Sequence, residues 1–190
     1  MARKLTLTIV VLALFATVIS ISVLAVFTDS QSVDSNTFTT GGVVDISTSP
    51  TTALVTFSGM MPGDEVTNPI TVSNDGTLEL RYAVTSTTTE DTLAAQLDLT
   101  IKSGVTTCTN AGFDTDGTVV YTTGDLGSIA GVDVIGDPTQ GDQAGDRTLA
   151  ASANEVLCFN VALPLASTGP EDTTTTATFA FQAEQTQSNP

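Results

Sequence analysis

The side chains able to do chemistry are few, and most are carboxylates. The chain has no histidine, which excludes a histidine-based triad and the histidine-dependent zinc-protease motifs. It also lacks a Gly-x-Ser-x-Gly elbow, a phosphate-binding glycine loop and any Cys-His pair. Asp114-Thr115-Asp116-Gly117 has the alternating carboxylates and the glycine of a calcium loop. Calcium takes several oxygen ligands, and glycine permits the sharp turn such a loop needs. The closing acid of the full loop is missing and Asp125 is the next carboxylate, so Asp114, Asp116 and Asp125 are the candidate calcium ligands. Asp137, Asp142 and Asp146 are further donors in reach of a folded loop, and solvated loop aspartates are the competing reading. Glu90-Asp91 and Glu171-Asp172 are adjacent pairs. Neighbours on a strand point opposite ways, so neither pair converges on a sugar as glycoside hydrolysis requires. The expectation is a chain that is not an enzyme and has no cofactor beyond calcium.

The compartment follows from charge placement and cysteine usage. Arg3 and Lys4 precede an uncharged run over residues 5–27, and every acidic residue lies at Asp29 or later. A basic start followed by an apolar run is a secretory signal. Val23-Leu24-Ala25 presents small residues to signal peptidase, which places cleavage between Ala25 and Val26. The run is also long enough to span a bilayer, so an uncleaved membrane anchor is the alternative. Cys108 and Cys158 are the two cysteines; an even count in an exported chain reads as one disulfide, against two free buried thiols. The net charge of −16 excludes nucleic acid, whose phosphates would repel it. It fits either solubility in a crowded exterior or a cell-wall or saline habitat where acidic surfaces hold water and cations.

The elements that must position these residues are strands. Apolar residues make up 41% of the chain, enough for a core, and 36 of 190 residues are threonine, a β-branched strand former. Alternation predicts strands near 43–46, 54–57, 70–73, 78–85, 97–102, 119–122, 155–165 and 177–184, with a helical turn at 93–97. Asn74-Asp75-Gly76 tolerates positive φ and predicts a hairpin between the strands on either side. Residues 104–118 read as a loop, and 124–147, rich in glycine and aspartate, as a surface insertion or flap. About eight short strands without a long helical period give an all-β fold, an antiparallel β-sandwich, behind the N-terminal signal helix. The domain division is then a signal peptide at 1–25, an extended segment at 26–42 and the sandwich at 43–190.

Residues 27–46 read FTDSQSVDSNTFTTGGVVDI. Phe27, Asp29, Asn36, Phe38, Gly41, Asp45 and Ile46 resemble the pattern that follows the signal in the TasA/camelysin family, exported through a SipW-type signal peptidase. Met61-Pro62-Gly63-Asp64, then residues 72–78, resemble the family's Pro-Gly-Asp turn and the asparagine-glycine turn after it; the ending at 179–185 is also similar. The resemblance implies a secreted jelly-roll-like sandwich that builds extracellular or cell-surface fibres of the biofilm-matrix kind. Some members carry a metallopeptidase label, but the absence of histidine argues against carrying that activity over.

The expected function is a secreted structural protein that assembles with itself. Its partners would be other copies and, during export, signal peptidase, with membrane contact only through an uncleaved signal. An exported chain beginning with a free extended segment can add it to a sheet edge of the next copy; Phe27, Val33 and Phe38 would fill pockets there. The alternatives are that this segment folds back as the first strand of its own domain, a monomeric wall- or carbohydrate-binding module, and a camelysin-like surface peptidase. Sugar-binding sandwiches expose aromatics, whereas tryptophan is absent here and only Tyr82 and Tyr121 join the phenylalanines.

Overall fold

The structure, a computed structural model, describes residues 41–51, 60–168, 172–187 and 189. The signal segment with Ala25 and Val26, the residues Phe27, Val33 and Phe38, and the expected strand at 54–57 lie outside the described residues. Nine strands are described: β1 (Ile46–Ser49), β2 (Glu65–Asn74), β3 (Leu80–Thr88), β4 (Asp98–Ser103), β5 (Thr118–Asp125), β6 (Val132–Ile135), β7 (Arg147–Leu149), β8 (Asn154–Ala162) and β9 (Ala177–Gln185). The helical pieces are a 3-10 turn at Ala94–Gln96 and a four-residue helix, α1 (Asn110–Phe113).

Every strand pairing is antiparallel, in two sheets. The first has the order β1-β2-β8-β4-β5. The second is built on β3: β9 runs along the whole of one edge, and β7 and β6 share the other edge in succession. The chain is therefore an antiparallel β-sandwich. Alternation decides which residues enter the core. Ile70 and Val72, Leu99 and Ile101, and Leu157, Phe159 and Val161 face inward from the first sheet. Leu80, Tyr82, Val84, Val134 and Leu149 meet them from the second. The Phe159 ring, fully buried, packs edge-on against Phe179 with centroids 5.0 Å apart. Each such side chain contributes about 1.5–3 kcal/mol by leaving water.

The expected hairpin at Asn74 is corrected by the structure. β2 belongs to the first sheet and β3 to the second, so the Asn74-Asp75-Gly76 turn is an arch over the core. The reason is local. The N–H groups of Asp75 and Thr77 donate to Asp45 and Val43, not across a hairpin, and the fully buried Asn74 side chain takes the remaining partners. Its amide nitrogen donates to the carbonyls of Leu78, Leu149 and Ala150, and its oxygen accepts from the Gly76 N–H. Gly76 is required there, because a Cβ would lie 2.2 Å from the Val43 carbonyl oxygen.

Residues 124–147 also differ from the expected insertion or flap. They include β6 and the end of β5, and Leu126, Val134 and Ile135 are part of the core. Glycine and aspartate serve the turns between these short strands; Gly136, for example, has a positive φ of 60°, which glycine adopts without steric cost. The Met61-Pro62-Gly63-Asp64 turn is of the type that takes proline second and a positive-φ glycine third. Gly63 has φ 98°, and the Asp64 carboxylate accepts from the Met61 N–H at 2.8 Å.

Candidate functional site

The outer face of the first sheet carries a loop, residues 104–117, pinned across its central strand. Cys108 is joined to Cys158 of β8 by a disulfide. Cys158 has the opposite parity to Leu157 and Phe159 yet is only 1% exposed, because the loop covers it. Thr109 caps α1 by accepting from the Gly112 N–H. Phe113 is turned inward at 5% exposure. Lys102 Nζ donates to the Phe113 carbonyl at 2.6 Å and lies 4.4 Å from its ring centroid, a cation–π contact. Asn110 adds a bond to the Glu65 carbonyl at 2.7 Å. The loop is thus a cover for the sheet.

The candidate calcium ligands are dispersed by this arrangement. Asp114 is the C-cap of α1 and exposed. The Asp116 carboxylate accepts from the hydroxyl and the N–H of Thr106; those bonds hold it below the usual carboxylate range. Asp125 lies at the far end of β5, and the seven strand steps from Thr118, at about 3.3 Å each, carry it roughly 20 Å from the start of the strand, which Asp116 precedes by two residues. One ion with oxygens at about 2.3–2.6 Å cannot be held by both. Asp125 instead faces Asp98 in register across β4 and β5. Burial, then the Asp125 charge, raises the Asp98 pKa. Asp137 and Asp146 close their own turn, Asp146 accepting from the Asp137 N–H at 3.0 Å.

A partly buried polar cluster joins the two sheets. Tyr82 of β3 donates its hydroxyl to Glu155 of β8 at 2.7 Å, and Arg147 of β7 forms an ion pair with the same carboxylate. Tyr82 is 1% exposed; burial and the neighbouring carboxylate push its phenol well above the usual range. The hydrogen bonds from Arg147 to Glu155 raise the guanidinium pKa. The cluster was legible in the sequence by parity: Glu155 shares the inward phase of Leu157 and Phe159, as Arg147 does with Leu149. On the outer face of the second sheet, Arg81 pairs with Glu184 at 2.6 Å and donates to the Asn189 carbonyl. Gly141 donates its N–H to Glu184 as well.

The feature best suited to recognition is the edge of β9 that no described strand pairs. Among the described residues β9 pairs with β3 alone, without a register shift over nine residues. Glu184 is its one charged residue. Phe179 and Phe181 on its core-facing side are only partly buried. Long edges are normally blunted by proline, lysine or a bulge, and β9 has none of these. The other edges of the sandwich are less open. β1 has four residues, β6 and β7 are short, and β5 is bulged against β4. Among the described residues no helix is long and apolar enough to cross a membrane.

Comparison with known proteins gives three findings. No curated protein matches. A solved structure, the sporulation control protein Spo0M from Bacillus subtilis, aligns at 15% identity with a TM-score of 0.28 over 77% of this chain. The chain spans 47% of that protein, about half its length, and the overlap is too loose to carry an argument. A model of the camelysin metallo-endopeptidase family matches residues 1–125. The donor set does not fit the zinc that this description implies. The chain has no histidine, its two cysteines are joined, and no described group of three acidic, cysteine or histidine residues could hold a metal ion. What the match over residues 1–125 establishes is descent: the chain belongs to the camelysin metallo-endopeptidase family.

Proposed function

We propose that the chain is an exported protein that links with copies of itself into extracellular or cell-surface fibres, by strand addition and without peptidase activity. The observation that carries this reading is the β9 edge: nine residues long, regular and almost uncharged, with half-covered phenylalanines beside it. An added strand gains affinity from main-chain hydrogen bonds and specificity from alternate side chains in pockets. Residues 26–38 supply a segment long enough to pair along it, with Phe27, Val33 and Phe38 as the apolar side chains available to fill such pockets. Donation from one copy to the next is head-to-tail and does not close, so it produces filaments.

Deleting residues 26–34 tests the reading. The truncated protein should keep its circular dichroism spectrum and lose the fibres seen by electron microscopy. A peptide of residues 26–38 should then bind it. Normal polymerisation of the truncated protein refutes strand donation. Casein cleavage that is abolished by a chelator would refute the non-peptidase half of the proposal.

A further inference from the structure

The three cations of the described domain are all committed at short range. Arg81, its side chain 7% exposed, is held by Glu184 and the Asn189 carbonyl. Arg147 is locked to Glu155 between the sheets. Lys102 is bound to the Phe113 carbonyl and ring. Residues 41–190 hold nineteen acidic and three basic side chains, a net −16. Exposed carboxylates stand at both ends of the sandwich: Asp45, Asp75 and Glu79 beside the arch, and Asp91, Asp125 and Asp172 at the opposite end. The segment 26–38 adds Asp29 and Asp34 and no base. Donor and acceptor therefore carry charge of the same sign, and no described cation is placed to offset it.

We propose that assembly through the β9 edge is gated by ionic strength: copies join only where dissolved cations screen the acid-only surface, and they join more tightly as salt rises. The proposal rests on the fibre reading above and deepens it. Like charge keeps proteins apart and monomeric. Screening shortens its reach from about 10 Å at 0.1 M salt to about 3 Å at 1 M, which is less than the roughly 4.8 Å between neighbouring strands of a sheet. The sign is diagnostic, because contacts between opposite charges weaken with salt while these strengthen. The acceptor edge itself is nearly uncharged, so a screened copy meets only the main-chain and apolar terms.

The test is the critical concentration for fibre formation of the secreted protein, followed by light scattering and electron microscopy from 0.05 to 1 M NaCl and KCl. About a tenfold fall across that range, equal for the two salts, is expected. The variant Asp29→Asn with Asp34→Asn should assemble at lower salt and with a shallower dependence. General salting-out would leave that dependence as steep as the parent's, and such a result overturns the proposal. So does a critical concentration that is flat or rises with salt. Fibres triggered by millimolar CaCl2 but not by NaCl would replace screening with a bridging ion. Absence of fibres at every salt concentration would instead remove the fibre reading, and the gate with it.

Discussion

Removing the Cys108–Cys158 bridge should cost more stability than any other covalent change to this domain. The two residues are 50 apart in sequence, and closing a loop of that length restricts the unfolded chain by about 4 kcal/mol in the chain-entropy description. Alanine at both positions removes the bridge without burying a hydroxyl at Cys158, which is 1% exposed. For a domain of this size each kcal/mol moves the melting temperature by about 2–4 °C, so a fall of about 8–16 °C is expected. Because the cost falls on the unfolded state, the native loop should stay in place, held by the Lys102–Phe113 contact, the Thr106–Asp116 bonds and the Asn110 bond to Glu65. Three measurements of the Cys108→Ala, Cys158→Ala protein check this: thermal unfolding by circular dichroism, the denaturant slope and limited proteolysis under native conditions. The slope should rise, since an uncrosslinked chain exposes more surface, and proteolysis of residues 104–117 should be unchanged. A melting temperature within about 3 °C of the parent with the same slope refutes the entropic reasoning. A loop cut readily in the native protein shows that the bridge, and not the side-chain contacts, holds the cover down.

Two further outcomes follow from the polar contacts. Tyr82→Phe should lower stability by about 1–2 kcal/mol, one hydrogen bond to a charged partner. Glu155→Ala should cost about 3 kcal/mol, since it leaves Arg147 and the buried Tyr82 hydroxyl both unpartnered; denaturant unfolding giving the reverse order would refute the assignment of Glu155 as the shared acceptor. Asp98→Asn should stabilise the protein by about 0.5 kcal/mol at neutral pH, the worth of a like-charge pair facing across two strands. The Asp98 pKa is raised in the fold, so the folded state binds its proton more readily than the unfolded state and its ionisation lowers stability as pH rises. The benefit of Asn should therefore vanish on acidifying to about pH 3; a benefit independent of pH would exclude a charge effect.

Much of the fold was legible from alternation alone. The inward residues of β8 and β9, Leu157 and Phe159 or Phe179 and Phe181, stand in strict period two, and the structure turns them into the core as read. The turn before β3 was legible as a turn but not as an arch. Both flanking strands bury one face, and a hairpin in one sheet and an arch between two sheets leave the same alternation. What decides is the distant partners of Asn74, the Leu149 and Ala150 carbonyls, more than 70 residues away. Residues 124–147 were misread because β6 and β7 have only four and three residues, too short to show a period among glycines. The candidate calcium ligands are separated by geometry of the same long-range kind: Asp116 and Asp125 look near in sequence, yet an extended strand carries them apart. The β9 edge has no signature in its own residues, since the strand's alternation reports its core face and is silent on whether a neighbour pairs beside it.

The arch at Asn74 has a consequence for how the folded chain resists chemical ageing. Asparagine and aspartate age when the next backbone nitrogen attacks the side-chain carbonyl carbon and closes a five-membered ring. Asn-Asp-Gly offers two such reactions in a row. Here both attacking nitrogens are occupied: the Asp75 N–H donates to the Asp45 carbonyl at 2.9 Å, and the Gly76 N–H to the Asn74 side-chain oxygen at 3.0 Å. The Asn74 amide itself is held by three carbonyls. Conversion to aspartate would set a carboxylate against three acceptors with no donor to offer them. The same bonds that carry the chain from one sheet to the other thus engage both nitrogens that would have to attack within its most perishable tripeptide.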